Sequence, residues 1–462
     1  MRGILKYSNY SPPLPIEKNL VISWEKLYRK VKSSSPLNEC RALLAYNTVL
    51  DRVVSVDEKL LSKLPKPLQS QRIRRIRNLQ DFANALAYSI RNDFALEVVC
   101  DKYAYELISE LGSHTEKTGG QAAIVSNLLS KFPKTTVIVH ADRYDSRAAS
   151  LFKNSNVKVG IPSAEGLELI LAKNYTIENV EPQIHYIFEY RMGTSFASGR
   201  AGRSNRIIAC PTTPIKFQEG WEDILPDIAQ NVDFAFIAGL NHMGDDYEDA
   251  FYKVVEHIRL LRLGNPRITI HLELTSTQDL MKLSKIFEII IRKVDSVGLN
   301  EAELIDVMNC LGHKPDRGPL GQVEGMLSIM GLGPKRVHLH TMHYYLCKVR
   351  GSEKTTRDGL VFGALIGAAA ALRGCIPRPR DLTAAMKVPV SQQGINILKA
   401  FEQVWLKQET EELATQGFLD GFGLVAIPTK IVVKPKGTVG LGDMISSASL
   451  AAEIAFNKRL GN

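Results

Sequence analysis

The segment VDSVGLNEAELIDVMNCL (294–311) carries the strand-to-helix pattern that decides the fold. Its first six residues predict a short buried strand, and the apolar residues that follow recur at helical spacing on one face, at Leu304, Val307, Met308 and Leu311. Similar short apolar strands are predicted at 41–46, 135–140, 234–240, 267–274, 336–340 and 423–428. Apolar strands that alternate with helices indicate a parallel sheet covered on both faces, so we predict a doubly wound α/β fold.

Two segments depart from this pattern. Residues 46–118 combine helical charge patterns with a short strand, and residues 179–212 alternate in the manner of paired strands. We therefore expect a large domain made of residues 1–45, 119–178 and 213–462, the last carrying a nucleotide and metal site. Residues 46–118 and 179–212 are expected to form a smaller, discontinuous α+β lid. In open α/β sheets, ligands bind at the carboxyl ends of the strands.

Composition excludes several classes of protein. The chain has 462 residues, of which 45% are hydrophobic and 23% charged, as is ordinary for globular proteins. The longest apolar run, 360–372, is too short to span a bilayer and predicts a buried helix. The formal charge of +9 allows a nucleic-acid partner, but no aromatic residues interleave with the arginines of QRIRRIRN (71–78). We expect that cluster to be the solvated face of a helix, with no nucleic-acid and no membrane partner.

The cysteines and the N-terminus give the expected compartment. Six cysteines are scattered singly, and no CxxC pair suggests a zinc site or a redox motif. The first twenty residues lack the continuous apolar core of a signal peptide. We therefore expect reduced thiols and a cytoplasmic protein.

The segment TVGLGD (438–443) leads directly into an apolar-rich helical stretch. Glycines at such a turn let backbone N–H groups approach an anion, and the helix N-terminus adds a positive dipole end. Asp443 is placed to take a proton from a hydroxyl that attacks phosphorus. The alternative is structural, because an acidic N-cap after a tight turn also produces this string.

Polar residues follow two further predicted strands. His271 and Glu273 are two apart and so share a face, while Asn300 and Glu303 open the helix of the deciding segment. Carboxylates of this kind suit Mg²⁺ held together with water and nucleotide phosphates. Taken alone, each motif has an equally good structural explanation. Asn300 can be a helix N-cap, and His271 can be a strand-end residue whose hydrogen bonds are made within the protein.

Together, these motifs resemble the archaeal ADP-dependent sugar kinases, the glucokinase and phosphofructokinase family of the ribokinase-like superfamily. The resemblance runs from residue 41 almost to the C-terminus. It is carried, in the family's order, by AYNTVLDRV (45–53), TGGQAAIVSN (118–127), IHYIFEYRMG (184–193), NRIIA (205–209), IHLELTSTQD (270–279), VDSVGLNEAEL (294–304), LHTMHYYL (339–346) and TVGLGD (438–443). It implies Mg²⁺-dependent transfer of the terminal phosphoryl group of ADP to a sugar hydroxyl, releasing AMP.

The resemblance also implies residue roles. Asp443 would be the catalytic base, with the glycines of TVGLGD as anion hole and Arg206 on the nucleotide phosphate. The metal would be held at Glu273, Glu303 and Asp443. The expected nucleotide contacts are Asn300, His340, Thr438 and Gly440, and the expected anion hole is Gly440 with Gly442.

For the sugar, the resemblance favours glucose. Glu97 falls where glucokinases carry a glutamate, and an ionised carboxylate suits a neutral polyol. Gln183 and Thr212 stand where phosphofructokinases place cations around the substrate phosphate. The remaining expected sugar contacts are Asn47, Asp51, Gly120, Gln121 and His185.

One departure keeps alternatives open. The family's N-x-N-x-D pattern reads Asn47 to Asp51 here with Val49 at its centre. The alternatives are a phosphofructokinase or bifunctional sugar kinase, and a non-catalytic homologue that binds sugar or nucleotide. A monomer or small homo-oligomer is expected.

Overall fold

The computed structural model describes residues 18–69, 72–152, 155–277, 279–314, 316, 318–402, 407–410, 413–419 and 422–461. In this part of the chain the strands are β1 Arg41–Ala45, β2 Val49–Ser55, β3 Arg75–Ile76, β4 Leu96–Cys100, β5 His114–Gly119, β6 Thr136–Val139, β7 Lys158–Ser163, β8 Gly166–Leu171, β9 Ile184–Tyr190, β10 Ser195–Phe196, β11 Gly199–Arg200, β12 Asn205–Pro211, β13 Phe234–Ile237, β14 Thr269–Glu273, β15 Ser296–Asn300, β16 Arg336–His340, β17 Tyr344–Val349, β18 Lys407–Thr410, β19 Leu413–Leu419 and β20 Phe422–Pro428.

The α-helices are α1 Lys18–Ser33, α2 Glu58–Leu61, α3 Leu79–Asn92, α4 Lys102–Ser109, α5 Gln121–Leu129, α6 Ser146–Ser150, α7 Trp221–Gln230, α8 Tyr247–Gly264, α9 Leu280–Ile289, α10 Glu301–Cys310, α11 Pro319–Met330, α12 Glu353–Arg373, α13 Leu382–Ala385, α14 Gln392–Glu402 and α15 Leu441–Gly461. Short 3-10 helices span Ala172–Asn174, Leu240–His242, Ile291–Lys293 and Pro379–Asp381.

The large sheet has the order β18-β19-β20-β17-β16-β15-β14-β13-β1-β6-β7-β8. Its centre, from β7 to β16, is parallel, and antiparallel strands extend both sides. The register pairs Leu43 of β1 with Ala235 of β13 and Ile138 of β6, three buried apolar positions. Helices α5, α12 and α15 pack together, and α7 to α11 form a second packed series. The predicted α/β class is therefore confirmed.

The smaller sheet has the order β3-β4-β12-β9-β2-β5. Its strands come from residues 49–119 and 184–211, and it has a hydrophobic core of its own, in which Phe82 of α3 packs on Phe188 of β9. Since β2 begins four residues after β1 ends, the chain passes from one sheet to the other within a short connection. That connection brings the two sheets to a common cleft.

Two local predictions have opposite outcomes. The apolar run 360–372 lies in α12, whose residues are almost all buried, and no helix among the described residues is long and apolar enough to cross a membrane. The helix expected at the arginine cluster was wrong, because β3 pairs there with β4, Arg75 opposite Val99. Pairing with a strand twenty residues away overrides the local charge pattern.

Candidate active site

The cleft lies where the carboxyl ends of the parallel strands face the smaller sheet. Connections after β1, β13, β14, β15 and β16 all start at this edge of the large sheet. They carry polar residues, as expected for the ligand crevice of an open α/β sheet. Side chains of β2, β4, β9 and β12 close the cleft from the other side.

Asp443 stands in the first turn of α15, at the large-sheet wall of the cleft. The turn before it depends on glycine, since Gly440 has a φ of 69° and a Cβ there would lie 2.8 Å from Ile124. A Cβ on Gly442 would lie 2.7 Å from the ring of His340. Because the first N–H groups of a helix have no acceptor within the helix, this turn offers bare donors to an anion.

The carboxylate of Asp443 is held by Gln121. The side-chain amide of Gln121 donates to Asp443 Oδ1 at 2.9 Å, while its carbonyl accepts from Thr275 Oγ1 at 2.7 Å and from the Gly239 amide at 3.1 Å. Burial and the nearby Glu273 carboxylate raise the pKa of Asp443 to about 6, against the opposing effect of the Gln121 bond. A carboxylate near neutrality in a cleft suits a general base. Gln121, expected as a sugar contact, thus orients Asp443.

Arg206 reaches the cleft from β12. Its NH1 donates to Thr438 Oγ1 at 3.4 Å, and its buried Nε has no partner among the described residues. Burial lowers the pKa of Arg206, while Glu97, Glu189, Asp443 and Asp51 act to raise it. A guanidinium with a free buried donor, next to the bare helix N-terminus, is suited to phosphate.

Glu273 is fixed between two histidines. His271 Nε2 lies 2.9 Å from Glu273 Oε2, and His340 Nε2 lies 3.3 Å from Oε1. Burial acts to raise the pKa of Glu273, but these two histidines outweigh it and bring the pKa down to about 2. A Cβ on Gly298 would collide with this carboxylate, so glycine is required on the neighbouring strand. Glu273 is therefore an ionised, rigidly held group.

Asn300 and Glu303 form a capping box on α10. The side chain of Asn300 accepts from the Ala302 and Glu303 amides, and Glu303 Oε2 accepts from the Asn300 amide at 2.9 Å. The structural reading of this motif is therefore correct, and it leaves Glu303 Oε1 directed to Ser276 Oγ at 3.3 Å. Burial raises the pKa of Glu303 to about 8, and Glu273 and Asp443 add to the effect.

The donor set at this point fits a divalent cation. Glu273, Glu303 and Asp443 approach closely enough that Glu273 acts to raise the pKa of both other carboxyls. Mutual repulsion of buried carboxylates is relieved by a hard cation, and Mg²⁺ prefers carboxylate oxygens. The three residues predicted as metal ligands therefore lie in the same region of the cleft, and their role in binding a metal remains a prediction.

Asp51 and His185 face each other across β2 and β9 on the opposite wall. Both are buried, and neither Asp51 Oδ1 nor His185 Nε2 has a partner among the described residues. Burial and the carboxylate of Glu97 raise the pKa of Asp51 to about 8, and burial lowers the pKa of His185 to about 3. Unpaired buried polar atoms are costly, which is consistent with a polar ligand that completes them.

Glu97 projects from β4 into the same wall. His242 Nε2 lies 2.8 Å from Glu97 Oε1, and Asn241 Nδ2 donates to the same oxygen at 3.3 Å. Burial acts to raise the pKa of Glu97, but the contacts with His242 and His185 outweigh it and the pKa is lowered. Glu97 therefore presents an ionised carboxylate at this wall of the cleft, where the sugar contacts are predicted.

Asn47 and Gly120 shape the connection between the walls. Asn47 Oδ1 accepts from the Ala122 amide in the first turn of α5, and Gly120, with a φ of 77°, packs on the Asn47 carbonyl. Val49, which replaces the family's second asparagine, is buried at the start of β2. Asn47 thus has a structural role alongside the predicted sugar contact.

Sequence reasoning missed Asn241 and His242, which hold Glu97, and Thr275 and Ser276, which support Gln121 and Glu303. All four lie within five residues of the carboxyl end of β13 or β14 of the large sheet. The rule that located Glu273 and Asn300, polar groups at strand carboxyl ends, would have found them too.

Comparison with known proteins agrees with this architecture. The conserved region of ADP-specific phosphofructokinase/glucokinase matches residues 40–452. An ADP-dependent glucose/glucosamine kinase of Pyrococcus furiosus is 30% identical, over 94% of this chain and 99% of that protein. An ADP-specific phosphofructokinase of Methanosarcina acetivorans is 29% identical, over 90% of this chain and 93% of that protein.

A solved structure gives the same result. An ADP-dependent kinase in complex with fructose-6-phosphate and ADPβS superposes with a TM-score of 0.85 at 29% identity, covering 96% of this chain and 99% of that one. The match extends across both sheets and the cleft between them. The chain therefore belongs to the ADP-specific phosphofructokinase/glucokinase family of ADP-dependent sugar kinases.

Proposed function

We propose that the protein is a Mg²⁺-dependent glucokinase that transfers the terminal phosphoryl group of ADP to a hydroxyl of glucose and releases AMP. The observation that carries the choice of sugar is the ionised Glu97 carboxylate, held by His242 and Asn241. With Asp51 and His185 it lies on the cleft wall formed by the smaller sheet, hereafter the sugar wall. Such a group accepts hydroxyl donors and repels a sugar phosphate.

The expected phosphate cations are also missing from this wall. Gln183 is buried, and its side-chain amide donates to the Thr213 carbonyl at 2.9 Å. Thr212 is exposed and uncharged. Binding of a neutral hexose does not depend on positive charge at these two positions, whereas binding of a phosphorylated hexose would.

The transfer would follow from the placement of Asp443. Its carboxylate takes the proton of the attacking sugar hydroxyl, while Gln121 keeps it aimed into the cleft. The N–H groups of the Gly440–Gly442 turn and the guanidinium of Arg206 stabilise charge on the phosphoryl oxygens. Mg²⁺ bound by Glu273, Glu303 and Asp443 would supply charge neutralisation on the phosphates of ADP.

The second candidate is a phosphofructokinase. It is favoured by the similarity to the kinase solved with fructose-6-phosphate. Arg143 Nε lies 4.0 Å from Asp142 Oδ2, and the same oxygen accepts from the backbone amide of Lys216 at 2.6 Å. The Ile215 amide beside it donates to the His242 carbonyl. A phosphofructokinase would need the side chains of Arg143 and Lys216 to replace the cations that positions 183 and 212 lack.

The test is an activity matrix of glucose, glucosamine and fructose-6-phosphate against ADP and ATP. We expect glucose with ADP to give the highest kcat/KM, and Asp443→Asn to lower kcat by at least 100-fold with ADP binding retained. Preference for fructose-6-phosphate would select the second candidate and reject the first. Calorimetric binding of glucose and ADP without product in the native protein would instead establish a non-catalytic homologue.

A further inference from the structure

A cluster of soft and borderline metal ligands lies between the sugar wall and the large sheet, separate from the carboxylates around Asp443. His185, Cys210 and His242 are all buried, and each offers a ligand atom within 4.8 Å of the other two. The carboxylate of Glu97 adjoins them, with Oε1 2.8 Å from His242 Nε2 and 3.8 Å from Cys210 Sγ. The set comprises two imidazoles, one thiol and one carboxylate.

An independent observation concerns one imidazole nitrogen of this cluster. His185 is only 5% exposed, yet its Nε2 makes no hydrogen bond among the described residues. Its ring lies 4.9 Å from that of His242, centroid to centroid, so the two imidazoles converge. A buried nitrogen of this kind accepts either a ligand's hydroxyl or a metal ion.

The chemistry of the set selects the class of metal. Nitrogen and thiolate donors suit Zn²⁺ and similar transition ions, whereas Mg²⁺ requires oxygen ligands. Tetrahedral Zn²⁺ places neighbouring N and S ligand atoms about 3.3–3.6 Å apart. The ligand atoms here lie within 4.8 Å of one another, so binding would require them to approach by at most about 1.2–1.5 Å.

The elements that supply these ligands belong to both walls. His185 lies on β9 and Cys210 on β12 of the smaller sheet, while His242 ends the 3-10 helix Leu240–His242 that follows β13 of the large sheet. An ion bound to all three would tie the two walls together. It would also occupy the space in which Glu97 and His185 are proposed to receive the sugar.

We propose that His185, Cys210 and His242, with Glu97, form an inhibitory site for Zn²⁺ or a similar transition ion that competes with the sugar. Binding forms one metal–sulfur bond and releases the proton of the Cys210 thiol to water. The spacing of the cysteines in the sequence does not predict this site, because its ligands come from three well-separated segments. The metal site itself does not depend on the proposed function, but competition with glucose does.

The test uses Co²⁺ as a spectroscopic probe of the reduced, full-length protein in chelator-free buffer. We expect a near-ultraviolet thiolate-to-cobalt charge-transfer band at one equivalent, and its loss in Cys210→Ser. Cys347→Ser is the matched control, because Cys347 is equally buried but lies in β17 of the large sheet. If circular dichroism shows that Cys210→Ser does not fold, Cys210→Ala replaces it in the test.

The second readout is inhibition in the presence of excess Mg²⁺. We expect micromolar Zn²⁺ to lower the activity of the native protein by at least tenfold and that of Cys210→Ser by less than twofold. Absence of the charge-transfer band, or its persistence in both Cys210 variants, would overturn the site. If the band forms but glucose does not weaken it, the metal site stands and the proposed sugar contacts are contradicted. Failure of the metal site and failure of the proposed sugar contacts are therefore distinguishable.

Discussion

Gln121→Leu tests whether Asp443 is the base that Gln121 positions. The substitution removes the amide that donates to Asp443 Oδ1 at 2.9 Å and keeps a buried side chain of similar length. This bond favours the ionised carboxylate, so its loss raises the pKa of Asp443 above its value of about 6. A hydrogen bond to a charged group is worth about 1.5–3 kcal/mol, which corresponds to about 1–2 pH units.

The sign of the effect on activity follows from the role of the base. Ionised Asp443 is needed to accept the proton, so activity is present above its pKa and lost as the pH falls through about 6. In Gln121→Leu we expect this acid limb to move up, to about pH 7–8. The measurement is kcat/KM against pH at limiting ADP, saturating sugar and fixed Mg²⁺.

Gln218→Leu is the matched control for this substitution. Gln218 is also buried, and its amide donates to the Gly160 carbonyl at 2.7 Å, on β7 near the edge of the large sheet. Both variants lose a buried amide and some stability, but we expect the acid limb to move only in Gln121→Leu. An active Gln121→Leu protein with its acid limb unchanged would refute the assignment of Asp443 as the base held by Gln121.

Three further substitutions test other parts of the cleft. Gly440→Ala should lower the free energy of unfolding by about 1–2 kcal/mol in urea titrations, since a side chain at a φ of 69° is strained and meets Ile124. It should also reduce kcat/KM for ADP. Unchanged ADP kinetics would contradict the anion-hole role. Arg206→Gln should raise KM for ADP about 10–150-fold through loss of a charge-assisted phosphate contact, and an unaltered KM would remove Arg206 from the nucleotide site. Asn300→Ala should cost about 0.5–2 kcal/mol of unfolding free energy through loss of the α10 cap, while Asn300→Asp keeps it; equal stability of the two variants would contradict the cap.

The sequence predicted those parts of the site that local chemistry determines. TVGLGD and the polar residues at the ends of β14 and β15 could be located from the sequence, because each stands where a predicted strand ends or a helix begins, although each motif taken alone also has a structural explanation. Their positions at one sheet edge follow from parallel topology alone. The alternation of strands and helices likewise gave the α/β class, since it depends on periodicity within each segment.

Contacts between distant segments could not be predicted in this way. Glu97 and His242 are 145 positions apart and meet only because β4 and the turn after β13 belong to facing sheets. The helix predicted at the arginine cluster was wrong for the same reason, because the pairing of β3 with β4 determines the backbone conformation there. Local propensity is a weak prior where tertiary pairing is available.

We propose that the division of the cleft accounts for the two acceptor specificities named among the relatives, a glucose/glucosamine kinase and a phosphofructokinase. Most groups proposed for phosphoryl transfer, centred on Asp443 and Gln121, lie on the large-sheet wall and bond chiefly to one another, while Arg206 reaches them from β12 of the smaller sheet. Those proposed to choose the acceptor, Glu97 and His185, lie on the smaller sheet, whose strands have their own core. A change of charge on β4 or β9 therefore alters which sugar is tolerated without disturbing the hydrogen bonds that aim Asp443. We therefore expect substitutions at Glu97 and at the uncharged positions 183 and 212 to change the preferred acceptor, and substitutions in the TVGLGD turn to leave that preference unchanged.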